Sequence, residues 1–406
     1  MQQETKKNYS PFVWSGNWWI EGNKAWFVSG EYNNLHCVDF DSQECEFEAE
    51  IPVHVLGRFR VTPRCIKYID KIFCIPDRGE CIWVYKKRED KLIKIDLINP
   101  NHVRLEIIFW WIDDDKMFII SEGLKQLFEL DARTEKIVNS IALREKEKIV
   151  KRIMSEKVLY SLSAESNQIS CFNLNSKKTI LYTLPDIVEK VNTICFDGRK
   201  FWMSGYGKKL YIWDKNKNEI ETIEDFPYGF GIYSLNEKTD DILDCKTEHY
   251  EYPTFSYSVE VGEYIWFIPY LTNKILYVSK DTYKMESLEI EDEIETMESL
   301  RTRNAIEGKY VLEYIRENRF IGIFSQKNRN IFEIDTKELG IKRKNFHFSY
   351  DCYRKMIDVL RRDIFYENKL ININSYFNGW LEIEGQKVAL NTESVGQKIY
   401  SKMNIW

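Results

Sequence analysis

The sequence predicts an all-β fold in which seven four-stranded antiparallel blades are arranged around a common axis. Three observations predict this fold. A short phrase of apolar strands recurs along most of the 406 residues. In the first half of the chain, the copies are spaced at nearly constant intervals of about 45 residues. Polar turns separate the strands, which is typical of antiparallel β structure.

Each copy of the phrase follows the same order of elements. An apolar strand precedes an aromatic-rich strand; a third strand then closes on Asp, Asn or Lys, and an alternating fourth strand follows a short polar turn. The first copy holds Lys24–Gly30, Leu35–Asp41 and Cys45–Pro52. The seven copies begin at Lys24, Lys71, Lys116, Lys157, Lys200, Glu263 and Arg319.

The residue that closes the third strand measures the repeat. Its first four steps are about 45, 45, 44 and 39 residues, close to the length of a four-stranded propeller blade. The last two steps are about 66 and 55 residues, which predicts insertions at about 226–256 and 291–309. The closing residues are Asp41, Lys86, Asp131, Asn175, Asp214, Lys280 and Asp335.

A closed ring explains why such a unit repeats. One blade cannot bury both of its faces, whereas a ring of blades can, and a period of four strands favours radial blades over a sandwich. Residues 11–350 are therefore predicted to form a seven-bladed β-propeller. The sequence leaves six or eight blades open, because the closure of the ring cannot be read from it.

The repeated phrase also resembles a known superfamily. Segments such as Phe128–Thr134 and Phe332–Lys337 resemble the seven-bladed propellers of the kelch-like and YVTN-like kind. The double glycine of kelch repeats is absent, and only Trp213-Asp214 matches the WD dipeptide. The resemblance therefore implies an architecture and no family-specific function.

The C-terminal region, 351–406, departs from the repeat. Its apolar residues between 353 and 365 follow helical spacing, which predicts a short amphipathic helix at about 352–366. Ser349 or Asp351 is the expected N-cap. We expect the remaining irregular or β tail to pack on the propeller; the alternative is a docking arm.

Composition and charge exclude several classes of protein. A chain with 44% hydrophobic residues can bury a large core, which excludes global disorder. The net charge of −6 provides no general attraction to nucleic acid or to anionic lipid. We find no apolar run of 18 residues and no secretory signal. The nine cysteines lack a C-x-x-C pair, so we expect reduced thiols in the cytoplasm, no metal site and no cofactor.

Binding residues are expected on one face of the ring. Connections from strand four to the next strand one, and from strand two to three, emerge on the same face, and loops on a rigid scaffold often carry function. Arginines there suit a carboxylate, phosphate or sulfate, and aromatic rings suit a sugar or a peptide side chain. The alternatives are solvated or paired arginines and aromatic residues in the core. The candidates are His54, Arg58, Arg60, Arg64, Arg78, Tyr206, Phe230, His249, Tyr250, Tyr252, Tyr270, Arg301 and Arg303.

The predicted function is a non-catalytic scaffold that binds a protein or peptide at this face, with a glycan as a further ligand class. The alternative is a lyase or hydrolase acting on a glycan or peptide, with His249 or His54 as the proton shuttle; His347 is also expected near this face. A third reading is a sensor with a small molecule in the axial channel. The acidic run Asp113–Asp115 is interpreted as a solvated turn on the other face.

Overall fold

A computed structural model provides the structure of the chain. Each statement about structure refers to the residues that it describes. These are residues 18–29, 34–52, 64–75, 81–97, 107–143, 149–163, 166–188, 190–227, 230, 253–293, 308–325, 330–356 and 358.

The strands form seven sheets, each built on an antiparallel blade of four consecutive strands, and a C-terminal strand adds a fifth member to the first sheet. Blade 1 contains β1 (Trp19–Glu21), β2 (Lys24–Val28), β3 (Asn34–Asp39) and β4 (Glu44–Glu50); blade 2 contains β5 (Arg64–Tyr68), β6 (Lys71–Ile75), β7 (Cys81–Lys86) and β8 (Lys91–Asp96); blade 3 contains β9 (Ile107–Asp113), β10 (Lys116–Ser121), β11 (Gln126–Asp131) and β12 (Lys136–Ala142); blade 4 contains β13 (Ile149–Ser155), β14 (Val158–Ser163), β15 (Gln168–Asn173) and β16 (Thr179–Thr183); blade 5 contains β17 (Val191–Phe196), β18 (Phe201–Gly205), β19 (Leu210–Asp214) and β20 (Glu219–Ile223); blade 6 contains β21 (Phe255–Val261), β22 (Tyr264–Pro269), β23 (Lys274–Ser279) and β24 (Met285–Glu289); blade 7 contains β25 (Tyr310–Arg316), β26 (Phe320–Ser325), β27 (Ile331–Asp335) and β28 (Gly340–Lys344).

The seven blades form a closed ring, as predicted. The first strand of each blade is innermost, and first strands of adjacent blades contact one another at β13–β17, β17–β21, β21–β25, β25–β1 and β1–β5. A separate cluster of buried hydrophobic side chains fills each of the seven gaps between neighbouring blades. Between blades 7 and 1 this cluster contains Ala25, Phe40, Tyr314, Phe324 and Ile331. Seven interfaces for seven blades settle the count that the sequence left open.

Burial within a blade follows the sequence pattern. The second and third strands are covered by neighbouring blades on both faces, so β10 is buried at every position after its first residue. The fourth strand lies at the periphery, and in β12 half-buried and exposed positions alternate strictly. Each large apolar side chain removed from water contributes about 1.5–3 kcal/mol, so the inner strands carry most of the hydrophobic stabilisation.

The recurring acidic residue shapes the turn after the third strand. In blade 3, the Asp131 carboxylate accepts a hydrogen bond from the backbone N–H of Thr134 at 2.7 Å, and Asp39, Asn173, Asp214 and Asp335 do the same in their own blades. Four residues after the end of the third strand, every blade has a residue with positive φ: Gln43, Asp90, Glu135, Lys177, Asn218, Tyr283 and Leu339. The acidic residue is therefore structural, since its side chain satisfies backbone donors in a tight turn.

The turn carboxylate of blade 7 provides a test in acid. The Arg319 guanidinium, together with the N–H groups of Lys337 and Glu338, lowers the pKa of Asp335 to about 2. The stabilisation is therefore present above about pH 4, where an unfolded aspartate ionises, and is lost as the pH falls to about 2. We expect Asp335→Asn to reduce the free energy of unfolding by about 1–2 kcal/mol at pH 7 and by little at pH 2. Urea denaturation at several pH values measures this difference, and a pH-independent difference would contradict it. Asp186→Asn, at an exposed aspartate, is the control.

The C-terminal segment returns to the first blade. Strand β29 (His347–Phe348) pairs with β4 in parallel, and helix α1 (residues 350–356) follows it. The Ser349 hydroxyl accepts the N–H of Cys352 at 3.1 Å, which confirms Ser349 as a cap. Tyr353 and Met356 are fully buried against blade 1. The helix begins two residues before the predicted start, and its predicted end lies outside the described residues. The domain boundary at residue 350 stays a prediction.

The expectation for His347 is wrong. Because β29 runs parallel to β4, His347 lies beside Glu44, where β4 starts from the face opposite the insertions. The turn at Asp114 and Asp115 also lies on that opposite face, between β9 and β10, as expected. None of the helical segments that the structure describes could traverse a lipid bilayer.

Candidate functional site

Both long connections belong to one face of the ring, which we call the insertion face. Residues 224–254 link β20 to β21, and residues 290–309 link β24 to β25. Each connection joins a fourth strand to the next first strand, as predicted. Nine candidate residues at this face lie outside the described residues: His54, Arg58, Arg60, Arg78, His249, Tyr250, Tyr252, Arg301 and Arg303.

Arg64 bridges two blades at this face. It is the first residue of β5, and its guanidinium lies 4.3 Å from the ring centroid of Trp110 in blade 3. The same guanidinium donates a hydrogen bond to the carbonyl oxygen of Ile107. Arg64 is thus stacked and hydrogen-bonded across the gap between blades 2 and 3.

Tyr206 lies where the first long connection returns to the ring. Its ring is half-buried, and the Lys190 ammonium lies 4.7 Å from its centroid. Thr254 fastens the end of the connection to this turn: its N–H donates to the Gly205 carbonyl at 3.0 Å, and its hydroxyl donates to the Gly207 carbonyl at 2.6 Å. The turn after β18 and the last residue of the connection are therefore held together by two hydrogen bonds.

Tyr270 brings the two long connections together. Its N–H donates to the carbonyl of Thr254 at 3.0 Å, and its own carbonyl accepts the N–H of Lys309 at 2.6 Å. Thr254 ends the first connection and Lys309 ends the second. The last residues of both connections are thus hydrogen-bonded to the backbone of one residue.

The side chain of Phe230 belongs to the hydrophobic core. It is 1% exposed and packs against Phe226 and Phe255, with ring centroids 6.0 Å apart in each case. Its side chain fills the interface between blades 5 and 6. This placement matches the alternative weighed for the aromatic residues, core packing beneath the insertion.

Buried charges anchor the base of the second connection. The Ser325 hydroxyl donates to the Glu293 carboxylate at 2.8 Å, and the Lys309 ammonium donates to the backbone carbonyl of Glu293. Glu293 and Lys309 are both 0% exposed. Groups of this kind are costly to bury unless they are hydrogen-bonded, so they fix the connection to the scaffold.

The side chain of Lys151 extends into the axial channel at the insertion face. Lys151 is the third residue of β13 in blade 4, and its ammonium lies 4.1 Å from the ring centroid of Tyr257 in blade 6. Side chains from blades 4 and 6 can meet only across the axial space in front of blade 5. Desolvation lowers the pKa of Lys151 to about 8, and no carboxylate among the described residues forms an ion pair with it.

β-Bulges shape the mouth of this axial channel. In β9, β13, β17 and β21 the pairing shifts by one residue at the second position of the strand. Bulges re-aim side chains and concentrate at rims and binding sites. In blade 5 the bulged residue is Asn192, whose amide donates to the Phe255 carbonyl at 2.9 Å. Sequence reasoning missed Lys151 and Asn192; the available signal was a polar residue at the second or third position of a first strand that starts with an apolar residue.

Comparisons with known proteins add the fold alone. No model of a protein family matches the chain, and no curated protein matches it. Among solved structures, a catalytically inactive virginiamycin B lyase from Staphylococcus aureus with quinupristin covers 80% of this chain and 97% of its own, at 12% identity and a TM-score of 0.54. Dihydro-heme d1 dehydrogenase NirN in complex with DHE covers 82% and 66%, at 13% identity and a TM-score of 0.50.

The chain is a seven-bladed β-propeller. This conclusion follows from its own seven sheets and from its likeness to those structures. The assignment to the kelch-like or YVTN-like kind is not confirmed. At 12% and 13% identity, the likeness to these two proteins does not assign their activities to this chain.

Proposed function

We propose that the protein is a non-catalytic binding module that holds a protein or peptide at its insertion face. The observation that carries the proposal is Lys151. An enclosed ammonium that contacts an aromatic ring and has no carboxylate partner among the described residues gains most from an incoming anion. The partner therefore presents an acidic side chain or a terminal carboxylate to the channel mouth.

The surroundings of Lys151 support a macromolecular partner. Arg64 and Trp110 add a stacked cation and an aromatic surface near the axis, and the two long connections meet at Tyr270. Arginine and aromatic side chains dominate the energetics of protein interfaces. A closed ring provides a rigid support on which the last residues of both connections are held by hydrogen bonds.

Peptide arrays test the proposal. We expect the full-length protein to bind peptides rich in Asp and Glu, and we expect Lys151→Met to weaken that binding at least tenfold, which is about 1.4 kcal/mol. Lys178→Met is the matched control, because Lys178 is exposed after the third strand of the same blade, on the opposite face. Binding that shows no preference for acidic peptides, or that survives Lys151→Met unchanged, would contradict the proposal.

A second candidate function is a lyase or hydrolase that acts on a glycan or peptide at the same face. The lowered pKa of Lys151 favours it, because an amine that ionises near pH 8 can accept a proton close to neutral pH. His249 and His54, the proton shuttles expected from the sequence, lie outside the described residues. Turnover that rises with pH through about 8 and disappears in Lys151→Met would establish this function in place of binding alone.

The thiols support a cytoplasmic location. The eight described cysteines are free and buried. Cys65 and Cys74 are direct partners on β5 and β6 and still carry no disulfide. Cys74 faces Trp83 on its other side. A reducing compartment keeps such thiols unpaired.

A further inference from the structure

Three soft donor groups meet at the edge of blade 1, far from the insertion-face site. His36 lies on β3, Cys45 on β4 and Cys352 on α1. One donor atom from each lies within 4.8 Å of the other two, and Cys352 Sγ lies 3.7 Å from His36 Nδ1. We call these residues the Cys2His cluster.

The surroundings of the Cys2His cluster are apolar and dry. His36 and Cys45 are 0% exposed and Cys352 is 3% exposed. The imidazole stacks on Phe27 and meets Phe47 and Phe348 edge-on, at centroid distances between 5.2 and 5.9 Å. Among the described residues, His36 Nε2 has no hydrogen-bond partner. An imidazole buried in this way is expensive unless one of its nitrogens gains a strong interaction.

We propose that the Cys2His cluster binds a soft d10 metal ion, Zn²⁺ or Cu⁺. Thiolate and imidazole donors select such ions over Mg²⁺ and Ca²⁺. Metal–sulfur bonds of about 2.3 Å and metal–nitrogen bonds of about 2.0 Å place a sulfur and a nitrogen donor about 3.5 Å apart, and two sulfur donors about 3.8 Å apart, around a tetrahedral ion. The sulfur–nitrogen distance of 3.7 Å in the structure is close to this spacing.

Binding converts both thiols to thiolates and releases their two protons to solvent. With Zn²⁺ the two thiolates and the ion together are neutral, which suits an apolar environment. With Cu⁺ the three protein donors complete a trigonal centre without a further ligand. The two ions share the donor chemistry, and the experiment separates them.

The metal ion would join the end of the chain to its first blade. Cys352 and His36 are 316 residues apart in sequence, and α1 carries Cys352 on the face that packs against blade 1. A bond network across this contact stabilises the folded chain by holding together two segments that are distant in sequence. Most of the other described cysteines pack among hydrophobic residues between blades, namely Cys37, Cys65, Cys74, Cys171 and Cys195. No other described cysteine belongs to a comparable donor group.

Metal analysis of the full-length protein, purified without chelator, tests the proposal. We expect about one Zn or Cu ion per chain in the wild-type protein and in Cys74→Ser, and none in Cys45→Ser or Cys352→Ser. Cys74 is the matched control because it is equally buried, at 0% exposure, but lies between blades 1 and 2. If a cluster variant does not fold, the metal-free wild-type protein is titrated with Zn²⁺, and with Cu⁺ under anaerobic conditions.

Titration also identifies the ion. The ion that belongs to the site should bind with a stoichiometry of one, raise the melting temperature by a few degrees and render two thiols unreactive toward a thiol reagent. Failure of both ions to bind the wild-type protein would overturn the proposal. So would an unchanged metal content in Cys352→Ser, or a disulfide between Cys45 and Cys352 that forms in place of metal binding.

Discussion

Alanine at position 205 should destabilise the propeller by at least about 3 kcal/mol. Gly205 ends β18, and a Cβ added there would overlap the backbone carbonyl of Lys190 and lie 3.2 Å from the Cα of Val191. Both obstacles are backbone atoms, so a rotamer change cannot relieve the overlap. Overpacking against a fixed backbone moves whole elements and produces the large effects seen for single substitutions.

Urea denaturation of Gly205→Ala and Gly340→Ala tests this expectation. Gly340 starts β28, and a Cβ there would meet no atom within 4 Å. We expect Gly340→Ala to change the free energy of unfolding by less than about 1 kcal/mol, or to stabilise the chain slightly by restricting its unfolded state. Equal midpoints for the two variants would show that the connection before β17 can move away from β18 at low cost.

Removal of Glu333 should weaken the closure of the ring by about 3–5 kcal/mol. Its side chain is 5% exposed. The carboxylate pairs with Arg316 at 3.2 Å and with Lys344 at 2.9 Å, and it accepts a hydrogen bond from the Tyr314 hydroxyl at 3.0 Å. Both cations lie over Phe40 of blade 1, within 5.8 Å of its ring centroid. Glu333→Ala therefore leaves two cations without their shared carboxylate where blades 7 and 1 meet.

Glu317→Ala is the control, because Glu317 pairs with the same arginine at 2.9 Å but its side chain is 59% exposed. An exposed ion pair contributes at most about 1 kcal/mol, so Glu317→Ala should unfold almost like the wild-type protein. Thermal unfolding of both variants gives the comparison. Similar losses for both variants would mean that the Glu333 cluster is solvated and contributes nothing special to ring closure.

The blades could be predicted because their signal is local. Asp131, Asp214 and Asp335 end third strands, since an acidic side chain there caps the tight turn that follows. In blades 1 and 4 the sequence analysis placed the closing residue two positions late. The structure shows that Asp39 and Asn173 do the capping there. The same order of strands also predicted that each insertion joins a fourth strand to the next first strand.

The chemistry of the sites could not be predicted in this way, because it depends on contacts between distant strands. Lys151 and Tyr257 lie in first strands 106 residues apart, and only the curvature of the ring brings them together. The Cys2His cluster was missed for the same reason. A rule that looks for closely spaced cysteines and histidines cannot find Cys352 beside His36. The repeat in the sequence thus predicts the scaffold, whereas the residues that meet in its channel can be identified only from the closed ring.

Each blade consists of four consecutive strands, which has a consequence for synthesis on the ribosome. A blade of about 45 residues emerges over about 2–9 s, whereas a β-hairpin forms within about 1–10 μs. Every blade can therefore complete its own hydrogen bonds before the next one is translated. Only the junction of blade 7 with blade 1 and the pairing of β29 with β4 must wait for the end of the chain. We expect a nascent chain of which only blades 1–6 have left the ribosome to hold six paired sheets in an open arc that chaperones still recognise.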